Sequence, residues 1–134
     1  MTRSDDTGKL VLRLALGILI LLHGIAKLSS GVGFISGMLA SHGLPAALAY
    51  LAYVGEIVAP VLIILGVFTR PAALVIAINM LFAFGLVHMK DLTAITKTGG
   101  WALELQGMYL FGAIAVALLG AGAISLGGRG GKYN

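Results

Sequence analysis

The sequence predicts an all-α, polytopic membrane protein, four transmembrane helices in an antiparallel bundle that form a single domain over residues 1–134. Composition is the first reason. Of 134 residues 59% are hydrophobic and 10% charged, with a mean hydropathy of +1.03, which is more apolar surface than a water-soluble core of this size can hide. Length is the second. Runs at about 10–28, 46–68, 71–89 and 102–124 each approach the ~20 apolar residues that cross a hydrocarbon layer as helix at ~1.5 Å per residue. The third is pattern: the runs lack the period-2 alternation of barrel strands, and in lipid each backbone polar group must be satisfied within its own segment, so each run reads as a helix.

Taken in order, the first span follows Arg3 and Lys9, and its apolar stretch from Leu14 to Leu22 has the length of a signal-peptide core. Asp5 and Asp6 spoil a basic leader and Gly-Ile-Ala-Lys follows without a small-x-small cleavage site, so the run is expected to stay as a span. Gly31 to Pro45 opens Gly- and Ser-rich, and Phe34-Ile35 with Met38-Leu39 at i, i+4 spacing predicts a short interfacial helix. In the second span, Pro60 removes the amide that would bond the Glu56 carbonyl, which predicts a kink. Thr69-Arg70-Pro71 reads as a tight turn with Pro71 at the first position of the third helix, where Asn79 is expected to act as interhelical hydrogen-bond glue. A polar loop from Lys90 to Gly100 then leads to Trp101, an interfacial anchor opening the fourth span. Small residues at Gly55 and Ala59, at Ala73 and Ala77, and at Ala113, Ala117 and Ala121 predict close packing, either within the bundle or in a homo-oligomer or other membrane assembly.

Lys and Arg sort by side. Arg3, Lys9, Arg13, Arg70, Arg129 and Lys132 fall on one face against Lys27, Lys90 and Lys97 on the other, which places both termini in the cytoplasm. The formal charge of +4 is explained by that topology, and no basic stripe interleaves with aromatics, so nucleic acid is excluded as a partner. Without cysteine the chain has no thiol nucleophile, disulfide or thiolate ligand, and any redox chemistry must come from a quinone, a bound cofactor or a partner. Phosphate-binding loops, dinucleotide fingerprints and HExxH are absent, no metal site is expected, and His23 with His88 makes only a weak haem pair.

Up-and-down threading gathers the remaining ionisable groups in one leaflet. Glu56 lies deepest, at membrane depth in the second span, where a charge costs roughly 2.5–3.5 kcal/mol on insertion scales and needs a partner. His23 and Lys27, four apart, share a face at the end of the first span; His88 closes the third and Glu104 opens the fourth. Lys27 can pair with Glu56 or Glu104, and His23 and His88 can shuttle protons or hold a polar head group. Tyr53 lies three residues before Glu56 on the same face, and Tyr109 lies lower on the fourth helix. Structural accounts compete: Lys27 and His88 snorkel, Glu104 complements a helix dipole, Glu56 and Lys27 form a buried pair, and Arg13 and Arg70 set topology.

Several segments carry a resemblance. Arg13 to Leu28 with its His23-Gly24-Ile25-Ala26-Lys27-Leu28, Gly55-Glu56 followed by Leu65-Gly66-Val67-Phe68-Thr69-Arg70-Pro71-Ala72-Ala73, and Gly100-Trp101-Ala102-Leu103-Glu104 leading to Tyr109-Leu110 resemble the DoxX family of membrane proteins. The closing Leu119-Gly120-Ala121-Gly122 with Ser125-Leu126 is similar too, although Gly127 stands where the family commonly has an acid. The resemblance implies a bacterial inner-membrane protein related to the DoxD subunit of thiosulfate:quinone oxidoreductase, working with a soluble or membrane redox partner. It points to Arg13, His23, Lys27, Glu56, Arg70 and Glu104. Glu56, Lys27 and His23 are accordingly the candidate catalytic residues, and His88, Glu104, Tyr53, Arg13 and Arg70 the candidate ligand contacts. A quinone-interacting subunit is the leading expectation; a non-catalytic scaffold for a redox enzyme and a small-molecule or proton conduit are the alternatives.

Overall fold

The computed structural model describes residues 3–31, 33–86 and 93–134; among them it is all-helical, and a lone antiparallel bridge between Ile95 and Trp101 is the nearest approach to a strand. Helix α1 is Arg3–Ser30, α2 Gly33–Ser41, α3 Ala47–Leu65, α4 Thr69–Leu86 and α5 Glu104–Leu119. Helix α1 outruns the expected first span at both ends, with Asp5 and Asp6 in its first turn and Lys27 in its last, the polarity a helix dipole favours. Its 28 residues extend about 42 Å at ~1.5 Å each, more than the ~30 Å hydrocarbon layer. By length and composition α1 and α3 are candidate membrane spans, while α5 is shorter.

A 3-10 turn at Ala46–Tyr50, starting one residue ahead of α3, leads into it, and the helix widens into a π-turn at Val54–Val58 before returning to α at Ala59–Leu65. The amide of Ala59 bonds the Val54 carbonyl five residues back, so the missing Pro60 amide is absorbed by a widened turn just ahead of it. Gly66, at φ 77°, stops the helix. Helix α4 starts at Thr69, two residues before Pro71, because the Asn134 side chain accepts from the Thr69 amide at 3.2 Å and its hydroxyl at 2.7 Å. The fourth run was expected to stay helical to residue 124, but α5 ends at Leu119: Gly120 and Gly122, each at φ 81°, turn the chain back.

Beyond Gly120 an irregular segment crosses the ends of α1, α3 and α4. Leu126 and Gly127 donate to the carbonyls of Leu65 and Gly66, both at 3.0 Å, and Arg70 donates its amide to Tyr133 at 3.0 Å. One core joins the long helices, with Leu16 and Ile20 of α1, Ile63 of α3, Ala73 and Ile76 of α4, and Ala113 and Val116 of α5 buried together. The small residues Ala59, Ala73, Ala77, Ala113 and Ala121 are all buried inside the molecule, so these stripes are used in intramolecular packing. Trp101 is also turned inward, tilted against Phe84 at a centroid distance of 6.2 Å and covering Gly107. The outside is apolar: Leu22, Phe82, Phe111, Met108 and Leu118 are all more than half exposed.

Candidate functional site

The α1–α3 seam builds the site. Arg13, Gly17, Ile20, Gly24 and Lys27 recur at spacings of four and three along α1, so they share one face of the helix. Gly17 and Gly24 let α3 come close. A Cβ at Gly17 would sit 2.6 Å from Ile64 Cγ1 and 3.1 Å from the Pro60 carbonyl, and one at Gly24 would overlap the Glu56 carbonyl oxygen and Ile57. The π-turn thus lies directly on Gly24, and the next turn of α1 carries Lys27 to Glu56.

Lys27 Nζ donates to Glu56 Oε2 and forms an ion pair with it. The Glu56 side chain is 7% exposed and that of Lys27 30%, so the acid is enclosed while the ammonium keeps access to its surroundings. An ammonium has three donors and Glu56 takes one. Tyr53 donates its hydroxyl to the Lys27 carbonyl at 3.2 Å, fastening the last turn of α1 to α3. His23, one turn before Lys27, is exposed and meets the buried ring of Tyr109 edge-on, at 5.7 Å and 78°. An acid, a cation, an imidazole and two phenols therefore converge from α1, α3 and α5. Such a group can hydrogen-bond a carbonyl, balance its developing charge and exchange protons.

Other expected members are elsewhere. Glu104 is exposed at the start of α5 with its carboxylate against Gly100, and among the described residues it joins no ion pair. His88 lies outside the described residues. Arg13 and Arg70 sit at the other end of the helices, where they hold carbonyls. Arg13, 1% exposed, donates to Ile63 at 3.3 Å and Ile124 at 2.5 Å, and among the described residues its buried Nε has no hydrogen-bond partner. Arg70 reaches the last carbonyls of α5, at 2.9 Å to Ala117 and 2.7 Å to Leu118, as a cation at a helix C-terminus should. Gly24 is the site residue that sequence reasoning left out; Tyr109 was placed on the fourth helix but not among the candidate contacts. The spacing of seven between Gly17 and Gly24, in register with Arg13 and Lys27, was the available signal for Gly24.

A chain that is all-helical among the described residues, with an apolar exterior and a buried carboxylate paired with a lysine between its helices, has the make-up of a helical membrane protein. The DoxX family model matches residues 8–89, and the chain belongs to the DoxX family of membrane proteins. It is 32% identical over 90 residues to a Bacillus subtilis (strain 168) protein named "Putative oxidoreductase CatD", covering 67% of this chain and 66%, just under two thirds, of that protein. It is 33% identical over 118 residues to an uncharacterized protein of Haemophilus influenzae, covering 86% of this chain and 84% of the relative. No solved structure matches the chain.

Proposed function

We propose that this protein is a quinone-interacting membrane subunit of a bacterial oxidoreductase or oxidative-stress system. The observation that carries the reading is the Lys27–Glu56 pair with His23 and Tyr109 beside it, a polar group whose acid is buried between apolar helices while its lysine and imidazole stay reachable. The name of the Bacillus relative adds an oxidoreductase association. In this reading the chain is one domain, α1, α3, α4 and α5 cross the inner membrane as a four-helix bundle, and the Lys and Arg distribution keeps both termini in the cytoplasm. Lys27 uses its remaining donors on a quinone carbonyl, Glu56 balances its charge, and His23 connects the site to protons. A redox partner supplies two electrons, and two protons complete the quinol. The conduit alternative is less favoured because Arg13 and the C-terminal segment occupy the opposite end.

The test is titration of a short-tailed quinone into the lipid-reconstituted chain and into Lys27→Gln and Glu56→Gln. Saturable binding that each substitution weakens by about 1.5–3 kcal/mol, the range for hydrogen bonds to charged groups, is the expected result. A folded wild type that binds no quinone would leave the scaffold role, with the pair as structural glue.

A further inference from the structure

A groove of about 230 Å³ opens on the outer side of the α3–α4 seam beneath α2. Ile35, Leu39, Leu48, Val54, Val75 and Phe82 form most of its wall, and among the described residues Asn79 is its one polar side chain. The sequence suggested that Asn79 would bond a neighbouring helix. Instead its amide lies against the bare backbone of Gly55, where an added Cβ would be 2.6 Å from Asn79 Cγ, and among the described residues it makes no hydrogen bond. An amide left unpaired in an apolar setting is costly, so the groove suits an occupant that can pair with it.

Depth and size narrow that occupant. Asn79 is ten residues into α4, roughly 15 Å from its Thr69 end and near the middle of a ~30 Å hydrocarbon layer. Phospholipid head groups lie too far out to reach it, and an acyl chain passing through would leave the amide unpaired. An apolar cavity of about 150 Å³ accepts benzene, so this groove has room for one substituted ring. We propose that the groove binds a neutral, membrane-dissolved ring compound of the quinone or quinol class, held by its carbonyl or hydroxyl at Asn79. A primary amide both donates and accepts, so it can serve either form of the ring. The inference rests on the quinone reading for the identity of the ring, but it places a ring on the face of α3 away from the Lys27–Glu56 pair.

The test uses the full chain in lipid with two probes of similar shape, menadione and the oxygen-free 2-methylnaphthalene. Wild type should prefer menadione by roughly three- to tenfold, the effect of one neutral hydrogen bond. With the ion-pair site silenced by Lys27→Gln, adding Asn79→Leu should abolish the remaining preference without weakening 2-methylnaphthalene, and adding Ile78→Trp should obstruct both from the exposed rim. A preference that survives in the Lys27→Gln, Asn79→Leu double variant overturns the inference. Menadione binding lost in Lys27→Gln but intact in Asn79→Leu also overturns it while supporting the ion-pair site, whereas the reverse pattern upholds the groove and removes that site. A wild type that binds neither probe but dimerises through Asn79 would show the groove to be a subunit contact, and the inference would fail.

Discussion

Glu56 is a carboxylate 6% exposed whose one charged partner among the described residues is Lys27. Removing that partner should therefore cost more than removing the acid. Lys27→Met leaves a buried, uncompensated charge and should destabilise the protein by about 3–5 kcal/mol. Glu56→Gln should cost less, because the partly exposed Lys27 can redirect its head toward the interface. In the double variant the stranded charge is gone, so its loss should be smaller than the sum of the two single losses. Denaturant unfolding in mixed micelles measures the coupling, and additive losses would mean that the pair does not act as a unit.

Among the elements, α1 and α3 depend on two glycines facing the π-turn. Gly24→Ala would drive a methyl group into the Glu56 carbonyl, which is backbone and cannot swing aside; we expect a loss of roughly 1–3 kcal/mol together with disruption of the Lys27–Glu56 contact. Gly8→Ala on the same helix is the control. Nothing lies within 4 Å of a Cβ there, so helix propensity alone should stabilise it by roughly 0.5–1 kcal/mol. Thermal unfolding of the two variants should move in opposite directions, and equal shifts would refute the close-approach account. The sequence made the existence of these helices plain, because long apolar runs leave few other solutions. It was less informative about their ends. Helix α4 starts early because its cap comes from Asn134, 65 positions on, and α5 is followed by two left-handed glycines while Arg70 takes its last carbonyls. Pro60 advertised a disturbance, but only the packing of Gly24 against Glu56 shows how α3 accommodates it.

At the scale of the whole molecule the two ends differ. Threading four runs was enough to bring Lys27, His23 and Glu56 to one end, since up-and-down connection leaves little choice; Glu104 fell outside the cluster because its place depends on the loop before α5. The other end is closed by the segment after Gly120, which the sequence led one to expect as helix to residue 124 followed by a basic tail. That closure should depend on pH through Asp6, in the first turn of α1 and ahead of the expected first span. The Ala123 amide, donating to Asp6 Oδ1 at 3.1 Å, is the largest influence holding this carboxyl below its ordinary value of 3.8; burial opposes it, and the Arg129 pair adds to the lowering. A lowered folded value means that Asp6 contributes its full stabilisation above 3.8 and loses it as pH falls through the lower value. With no native cysteine, a spin label on Leu126→Cys, a side chain 75% exposed, reports on the segment alone. The label should be restrained at neutral pH and freed in acid, whereas Asp6→Asn should free it partly at every pH. An Asp6→Asn protein whose label keeps the wild-type mobility profile would show that the backbone bonds of Leu126 and Gly127, not the carboxylate, hold the segment down.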